Sequence, residues 1–388
     1  MLSSAEAASA TPTTEIQQGL EEHAFRYGRR YDSYHVTDPG REYFFAPDGR
    51  GVVAFARTGR CFHVGGGLLA AHSDKESLLT QFMEYARAQR CTCKFYNIAD
   101  DELPLFRQNG FQGTKWGEDA IVDLEKCTWR GRAFELVRSQ SNYCRRKGVA
   151  ISECRRESMS SAAWQSLKQE FAEVSAEFLA TKPQAREMKF FEGRFDPDCL
   201  RRKRVFIARA EGGGGRLEGF LVCNPALDGA TWSFDIYRHR PDAVKGTITF
   251  LMQQAMELLR NEGVQTVSLG LLPGVRCDQP RPGDSRLVRM GIVFFHRYLN
   301  FLFDTPGLYH FKQRFRPQFE NRYVCTWPRS SLGGMWSFIR LFGLLDLHPG
   351  RLVRTLFTRL RKSSARAASL TTPEDDESVP NRHPRHAA

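Results

Sequence analysis

Several signatures that mark common enzyme classes are missing from this chain of 388 residues. Its ten cysteines never show the paired two-residue spacing of a zinc site, and its histidines include no His-Glu-x-x-His segment. Its glycine runs lack the Gly-Lys-Ser/Thr ending of a phosphate-binding loop. No stretch reaches the roughly 18 uninterrupted apolar residues that a membrane-spanning helix requires. The sequence therefore argues against zinc hydrolases, P-loop nucleotide hydrolases and a membrane span within these residues.

The start of the chain also lacks an export signal. Met1-Leu2-Ser3-Ser4 opens it without a basic leader or an apolar run, which predicts that no signal peptide is present. Because disulfides are rare in reducing compartments, we expect the scattered cysteines to be free thiols. We expect a cytoplasmic protein that contacts the inner face of the membrane peripherally.

Positive charge, by contrast, is abundant, with a formal net charge of +12. It is concentrated in segment 126–156, which carries nine Lys and Arg residues against two acids. A field of this density attracts phosphates without base specificity, so we predict nucleic-acid contacts in this segment. A solvated basic helix is the alternative. The predicted contact residues are Arg138, Arg145, Arg146 and Lys147.

Short β-rich runs between turns, and helices with one apolar side, indicate two successive α/β units. The second unit repeats the order of the first, with helices expected at 161–180 and 247–261. The predicted organisation is a flexible leader at 1–30 with a helix near 15–25, a first unit at 31–148, a second unit at 149–328, basic amphipathic helices at 329–362 and a disordered tail at 363–388.

Segment 309–323 interleaves cations, aromatics and one acid without an ordinary amphipathic period. Lys312 and Arg322 lie here among four aromatic side chains, an arrangement that suits a polyanionic or lipid-like ligand. The alternative is a basic surface strand that carries an ion pair between Glu320 and Arg322.

This segment resembles the terminal signature of the phosphatidylglycerol lysyltransferase C-terminal domain, Tyr-Lys-x-Lys-Phe-x-Pro-x-Trp-Glu-x-Arg-Tyr. Arg314 replaces a Lys of that signature and Phe319 replaces its Trp. Further blocks at 109–122, 134–148 and 235–251 resemble the family in the same order, so the similarity runs from about 43 to 327. The residues that match the signature as they stand are Lys312, Phe315, Pro317, Glu320, Arg322 and Tyr323.

The resemblance implies an α/β fold of two tandem acetyltransferase-like (GNAT) units with mixed central sheets. It implies transfer of an amino acid, lysine or alanine, from aminoacyl-tRNA to the head group of phosphatidylglycerol or a related anionic lipid. We expect no metal or organic cofactor, with aminoacyl-tRNA as co-substrate. Family members commonly carry a multi-helix membrane part before this domain, so we expect a free-standing member, with a separate flippase among its candidate partners.

Candidate site residues lie where the family blocks match. Asp235 and Arg238, at a strand end, and Lys312 are predicted to be catalytic, with a strand-end salt bridge as the alternative for the first two. Glu177 is a candidate partner for the substrate ammonium group, although a solvated helix acid would look the same. The residues predicted to bind substrate are Glu177, Lys182, Glu320, Arg322 and Tyr323.

The segment after 328 combines aromatic and aliphatic residues with arginines, a pattern typical of a helix in an anionic membrane interface. A C-terminal helix packed on the domain is the alternative. The predicted membrane-binding residues are Trp336, Phe338, Arg351, Arg354 and Arg359.

Two other functions remain open from the sequence. A GNAT-fold acyltransferase with another acceptor is one, although segment 238–246 lacks the glycine pattern of a coenzyme A loop. A non-catalytic protein that binds anionic membranes is the other, and it predicts that Asp235 and Lys312 are dispensable.

Overall fold

A computed structural model describes residues 14–182, 190, 193–210, 215–298, 304–341 and 343. These residues form a mixed α/β fold around one large sheet, which confirms the expected fold class. All ten cysteines are free thiols. None of the described helices is both long enough and apolar enough to span a membrane.

The described residues contain twelve strands and nine α-helices. The strands are β1 Glu42–Phe45, β2 Gly51–Thr58, β3 Cys61–Val64, β4 Leu69–Ala70, β5 Thr92–Ile98, β6 Gln112–Asp123, β7 Val149–Cys154, β8 Arg204–Ala210, β9 Leu217–Ala226, β10 Thr231–His239, β11 Thr266–Pro273 and β12 Gln318–Trp327. The helices are α1 Thr14–Tyr27, α2 Lys75–Ala88, α3 Leu103–Gln108, α4 Glu135–Arg146, α5 Ser161–Ala180, α6 Thr247–Asn261, α7 Arg286–Tyr298, α8 Thr305–Gln313 and α9 Leu332–Leu341.

The long helices form where their apolar residues recur at helical spacing. Helix α5 begins after Ser160, whose hydroxyl accepts a hydrogen bond from the Ala163 backbone N–H. Both α5 and α6 span the residues that the sequence predicts for them. The buried face of α5 consists of Trp164, Leu167, Phe171 and Val174.

The sheet has the strand order β1-β2-β3-β5-β12-β6-β11-β10-β9-β8-β7, with β4 paired to β2. We call β1 to β6 the first half and β7 to β12 the second half. Each half contains one parallel pair, β3 with β5 and β10 with β11, and the other neighbours are antiparallel. The arrangement of parallel and antiparallel neighbours is therefore nearly the same on the two sides of the central pair, β12 and β6.

The two halves exchange their last strands. Strand β6 of the first half pairs with β11 of the second half, and β12 of the second half pairs with β5 of the first half. The two exchanged strands also pair with each other along nine positions. The predicted boundary between 148 and 149 lies just before β7, so it places β5 and its sheet neighbour β12 in different units.

The parallel strands of the second half separate into a cleft. Strands β10 and β11 pair only over Thr231–Ser233 and Thr266–Ser268, although both continue further. A bulge interrupts β10 at Asp235, and another interrupts β11 between Ser268 and Leu271. Irregular pairing of this kind redirects side chains. Asp235 therefore lies at the start of the cleft.

The N-terminal residues are packed rather than loose from α1 onward. Helix α1 corresponds to the helix predicted near 15–25, and its Leu20 and Ala24 are buried against the first half. A 3₁₀ turn at Ser33–Thr37 follows and is buried over four residues. The expectation of a flexible leader up to residue 30 is therefore wrong for its described part, because these apolar residues cover the sheet.

The predicted C-terminal helices are described only in part. Helix α9 forms within segment 329–362. Arg351, Arg354 and Arg359, the rest of that segment beyond 343, and the predicted tail lie outside the described residues.

Candidate functional site

Asp235 is the buried acid at the start of the cleft. Its Oδ1 lies 2.8 Å from Nε2 of His35, and its Oδ2 accepts a hydrogen bond of 2.9 Å from the amide of Asn224. Burial alone would raise the pKa of Asp235, but the attraction of His35, its hydrogen bond, and Lys203 hold that pKa below its usual value. A Cβ on Gly193 would lie 1.9 Å from Oδ2, so only glycine fits beside this carboxylate.

His35 was not predicted from the sequence. It comes from the 3₁₀ turn near the N-terminus, 200 residues before its partner. Burial lowers its pKa, but the carboxylates of Asp235, Asp38 and Asp32 outweigh that effect and leave the pKa above its ordinary value. The ring is therefore suited to form an ion pair with Asp235. No local sequence pattern predicts a pairing between residues so far apart in the chain.

The same N-terminal segment links the two halves. Its Asp32 accepts hydrogen bonds from the Gly66 backbone, at 3.0 Å, and from Asn97 on β5, at 2.7 Å. Asn97 also donates to the hydroxyl of Tyr31, while the Tyr31 carbonyl accepts from Ser233 on β10. The segment thus occupies the place where the first half's parallel strands separate and reaches across to the second half's cleft.

Lys312 from α8 lies in the wall of the cleft, with its side chain buried. Its Nζ donates to the carbonyl of Gly270 at 2.8 Å and to that of Leu271 at 3.2 Å, at the bulge in β11. Gly270 adopts a φ of +83°, a conformation that glycine accepts readily. Burial lowers the pKa of Lys312 to about 7, and the charge of Asp119 only partly opposes that shift.

Asp119 connects β6, β11 and β12 at the same point. Its Oδ1 accepts a hydrogen bond of 2.6 Å from Ser268, and its Oδ2 lies 3.1 Å from the guanidinium of Arg322. Arg322 also contacts Glu320 at 3.0 Å, so the ion pair considered in the sequence alternative is present. Burial lowers the pKa of Arg322, but Asp119 and Glu320 raise it above its ordinary value. The carboxylate of Asp119 thus has its partners inside the protein.

These groups form what we call the central polar cluster. Five buried polar atoms in it have no hydrogen-bond partner in the described part of the chain: Asp32 Oδ1, His35 Nδ1, Asn97 Oδ1, Asn224 Oδ1 and Arg322 Nε. Buried polar groups are normally satisfied, so such a concentration is typical of a binding site. The members of the cluster are Tyr31, Asp32, His35, Asn97, Asp119, Asn224, Ser233, Asp235, Ser268, Lys312 and Arg322.

A pocket of about 520 Å³ lies between α1, β1 and the segment before β8. Among its lining residues, Lys203 carries the charge that acts on Asp235. Nη1 of Arg201 is buried there and has no hydrogen-bond partner among the described residues. We call this the cationic pocket, after its lining residues Arg41, Arg194, Arg201 and Lys203, which outnumber by one the acids that also line it, Asp38, Glu42 and Asp196.

The remaining residues predicted to be catalytic or to bind substrate are more widely spread. Arg238 is buried on β10, three residues after Asp235. Glu177, on α5, forms an ion pair with Arg240, and Lys182 lies 4.5 Å from the ring of Phe178. Their roles stay predictions.

Tyr323 faces a different set of partners from the cluster. Its hydroxyl donates to Asp100 at 2.7 Å and accepts from Arg281 at 2.9 Å. Burial and the Asp100 hydrogen bond raise its pKa to about 12. The hydroxyl therefore stays protonated at neutral pH.

The predicted nucleic-acid residues lie on α4, except Lys147, which directly follows its last residue. Arg145, Arg146 and Lys147 are exposed, whereas Arg138 is half-buried and donates to the backbone carbonyls of Trp129 and Gly131. A wide groove beside α4 reaches the residues that follow α8. The charged and polar residues in that groove include Arg132, Glu135, His310, Arg314 and Arg316.

Trp336 and Phe338, the two described residues of the predicted membrane-binding set, differ in exposure. Trp336 is 53% exposed, whereas Phe338 packs against Tyr96 of β5 at 5.9 Å between ring centroids. One face of α9 thus packs on the sheet, and the membrane-binding role of its exposed face stays a prediction.

The described residues contain no group of three or more His, Cys, Asp or Glu side chains that could hold a metal ion.

The architecture defines a protein of the tandem GNAT-like class, because each half has a parallel strand pair beside an antiparallel meander. A family model for the C-terminal domain of phosphatidylglycerol lysyltransferase matches residues 24–326. The chain therefore belongs to that family.

Curated relatives agree with the family match. The chain is 25% identical over 304 residues to a phosphatidylglycerol lysyltransferase of Bacillus subtilis, covering 78% of this chain and 34% of that protein. It is 24% identical over 307 residues to one from Staphylococcus epidermidis, covering 79% and 35%. The chain thus spans about a third of the length of the curated relatives it matches.

Solved structures share the fold. The structure of L-PGS from Bacillus licheniformis superposes with a TM-score of 0.68 at 23% identity, covering 86% of this chain and 98% of that one. A C-terminal DUF2156 domain from Agrobacterium fabrum gives 0.68 at 22% identity, covering 87% and 98%. The crystal structure of FemX gives 0.51 at 13% identity, covering 79% and 95%.

Proposed function

We propose that this protein transfers an aminoacyl group from aminoacyl-tRNA to a head-group hydroxyl of phosphatidylglycerol. The observation that carries the proposal is that two buried groups lie where β10 and β11 separate. They are the carboxylate of Asp235, at the bulge in β10, and the amine of Lys312, which contacts the bulge in β11 and has a pKa of about 7. The names of the relatives indicate phosphatidylglycerol as the lipid and lysine as the first amino acid to test. Alanine, the other amino acid expected from the sequence, is the second.

The reaction is an ester exchange. A lipid hydroxyl oxygen attacks the aminoacyl carbonyl carbon, and the bond between that carbon and the ribose oxygen of the tRNA breaks. The hydroxyl proton passes to a base on the protein and then to the departing ribose oxygen, so that no other reactant is consumed. The protein must position both substrates and accept a proton.

Lys312 fits the role of proton acceptor. A neutral amine has two hydrogens, and the two carbonyls at Gly270 and Leu271 accept both, which leaves the nitrogen lone pair available. A pKa of about 7 keeps a large fraction of Lys312 neutral at physiological pH. Proton transfer is most effective when the pKa of the base lies near the working pH.

Asp235 fits the role of anchor for the amino group of the aminoacyl substrate. Its carboxylate offers about four acceptor positions, and His35 and Asn224 use one on each oxygen. The remaining positions suit the α-ammonium group of the substrate. In this scheme His35 orients the carboxylate and acts only through it.

The cationic surface of α4 suits the tRNA, since Arg145, Arg146 and Lys147 are exposed near its end. The groove at the start of the same helix extends to residues of α8. Phosphate contacts at such a surface add affinity without reading bases. The cationic pocket with Arg201 and Lys203 suits the lipid phosphate, because it adjoins Asp235. The two substrates thus approach the cluster from different elements.

The test compares label transfer from ¹⁴C-aminoacyl-tRNA to phosphatidylglycerol vesicles by wild type and Asp235→Asn. We expect Asp235→Asn to lower kcat/KM by about 10- to 100-fold, the value of a charge-assisted hydrogen bond. Asp228→Asn is the matched control, since Asp228 is an exposed turn residue at φ 52°, which asparagine tolerates. Transfer that is equal in Asp235→Asn and wild type would remove Asp235 from the site.

The same assay separates the alternatives. Wild type that binds vesicles but transfers no label to lipid, for any aminoacyl-tRNA, contradicts the proposal and favours a membrane-binding protein. Label that appears on another acceptor favours a GNAT-fold acyltransferase of different specificity.

A further inference from the structure

Helices α7 and α9 expose an unusual amount of apolar surface side by side. Phe294 on α7 is 56% exposed and Met290 is 65% exposed, while on α9 Trp336 is 53% exposed and Leu332 is 74% exposed. Single exposed apolar residues are ordinary, but four large ones on two packed helices form a patch. Such patches mark interaction sites.

A groove of about 210 Å³ lies between the two helices and the sheet. Its floor is formed by Tyr96, Trp116 and Val324, which stand on β5, β6 and β12. Helix α7 contributes Val288 and Ile292 to the walls. The groove residues from α9 are Met335, Phe338 and Ile339.

The charge on the two helices indicates which kind of surface covers the patch. Helix α7 carries three arginines and α9 carries one, and neither contains an acid. Arg286 and Arg340 are exposed beside the apolar side chains. Apolar residues that are flanked by cations, on helices without an acid, fit an anionic membrane interface better than the surface of another protein.

The groove also leads toward the central polar cluster. Trp116 precedes Asp119 by three positions on β6, and Pro273 follows Gly270 by three on β11, each about 10 Å along a strand. Gly270 carries the carbonyl that binds Lys312. A phospholipid whose chain occupied the groove would therefore hold its head group near Lys312.

The geometry points to an acyl-chain site: the groove between α7 and α9 takes one fatty-acyl chain of the anionic phospholipid while the exposed patch enters the bilayer interface. This inference rests on the proposed function for the reaction, but lipid binding can be measured without aminoacyl-tRNA. It adds α7, which the sequence did not suggest, to the lipid-binding surface. Extraction of one chain from the bilayer brings the head group to the buried amine.

The test uses fluorescence of Trp336, the most exposed tryptophan in the described part of the chain. The probe is a vesicle of phosphatidylglycerol brominated along its acyl chains, which quenches tryptophans that contact the chains. We expect quenching of wild type, a smaller degree of quenching in Trp336→Phe, and residual quenching there from Trp116 in the groove floor.

A groove-filling variant separates the groove from the surrounding patch. A Cβ on Gly291 would lie 2.8 Å from the end of the Met335 side chain, so Gly291→Leu fills the groove without meeting backbone. Gly333→Leu on α9 is the matched control, because nothing lies within 4 Å of its Cβ position. We expect Gly291→Leu to weaken vesicle affinity at least 5-fold and to abolish preference for long-chain over dihexanoyl phosphatidylglycerol, with Gly333→Leu unaffected.

Several results would overturn the inference. Equal affinity and equal quenching for Gly291→Leu and wild type would show that the groove is not used. Absence of quenching, together with a dimer that Phe294→Ser dissociates in analytical ultracentrifugation, would assign the patch to a second copy of the chain. Binding that depends on the length of the acyl chains, without any aminoacyl transfer, would support the acyl-chain site in the groove and contradict the proposed reaction.

Discussion

At the residue scale, Lys312 shows how burial prepares a side chain for chemistry. A buried lysine is costly in its charged form, and here two carbonyls accept the hydrogens of the neutral form. The sequence identified Lys312 through a family signature and predicted a catalytic role for it. The structure surrounds it with internal partners, and we assign it the role of proton acceptor.

Lys312 sets the pH dependence of the reaction in this account. Transfer under single-turnover conditions should rise with pH through a value of about 7, as the amine loses its proton. Lys312→Met should lower the rate about 100-fold or more and remove that rise. Lys168→Arg, at a lysine that forms a surface ion pair with Asp198, serves as the control. A pH profile that Lys312→Met leaves in place would assign the titration to another group.

Stability gives an independent readout of the same pKa. Because the folded pKa of Lys312, about 7, lies below its ordinary value of 10.5, the unfolded chain binds more protons between those two values. Stability of the wild type should therefore rise with pH across that window. The melting temperature of Lys312→Met should exceed that of wild type at pH 7 by more than at pH 9.

The residues that the sequence missed share one cause. His35 and Tyr31 reach the cluster from the N-terminal segment and Asp119 reaches it from β6, and no local period marks them. Asp235 was found only because a family block contains it. A buried acid and its partner 200 residues away are a property of the folded sheet, and a single sequence contains no signal for that contact.

At the element scale, helices were easier to predict than strand neighbours. Helix α5 follows from apolar residues at spacing three and four and a serine cap, all of which are local. The start of strand β6 at Gln112 is hard to predict, because Lys115 and Glu118 interrupt its apolar pattern. In the folded sheet these two residues satisfy each other as an ion pair at 2.5 Å. The exchange of β6 and β12 depends on long-range pairing, which local patterns do not specify.

Helix α4 carries a prediction of its own. If it binds the tRNA backbone, Arg146→Gln with Lys147→Gln should reduce the slope of log affinity against log salt concentration by about 2, roughly one for each lost phosphate contact. Filter binding over a salt series measures this slope. Arg50→Gln with Arg60→Gln removes the same charge from exposed positions at β2 and β3 and should leave the slope unchanged. Equal slopes for both double variants would place the tRNA elsewhere.

At the scale of the whole molecule, one sheet arranges the three surfaces to which we assign the substrates of the proposed reaction. The basic helix α4, the cationic pocket and the groove between α7 and α9 all lie around the strands that carry the central polar cluster. The exchange of terminal strands joins both halves at that cluster, because Asp119 on β6 contacts Arg322 on β12 and Ser268 on β11. The cleft with Asp235 and Lys312 belongs to the second half. In the first half, the N-terminal segment fills the place where the parallel strands separate.

The most direct test of this account is a mass spectrum of the lipids after wild-type protein has been incubated with a full set of aminoacyl-tRNAs and phosphatidylglycerol vesicles. We predict a new lipid whose mass exceeds that of phosphatidylglycerol by one aminoacyl residue, formed by wild type and strongly reduced with Asp235→Asn. Phosphatidylglycerol that stays unmodified, although the protein is folded and bound to the vesicles, would contradict the central claim.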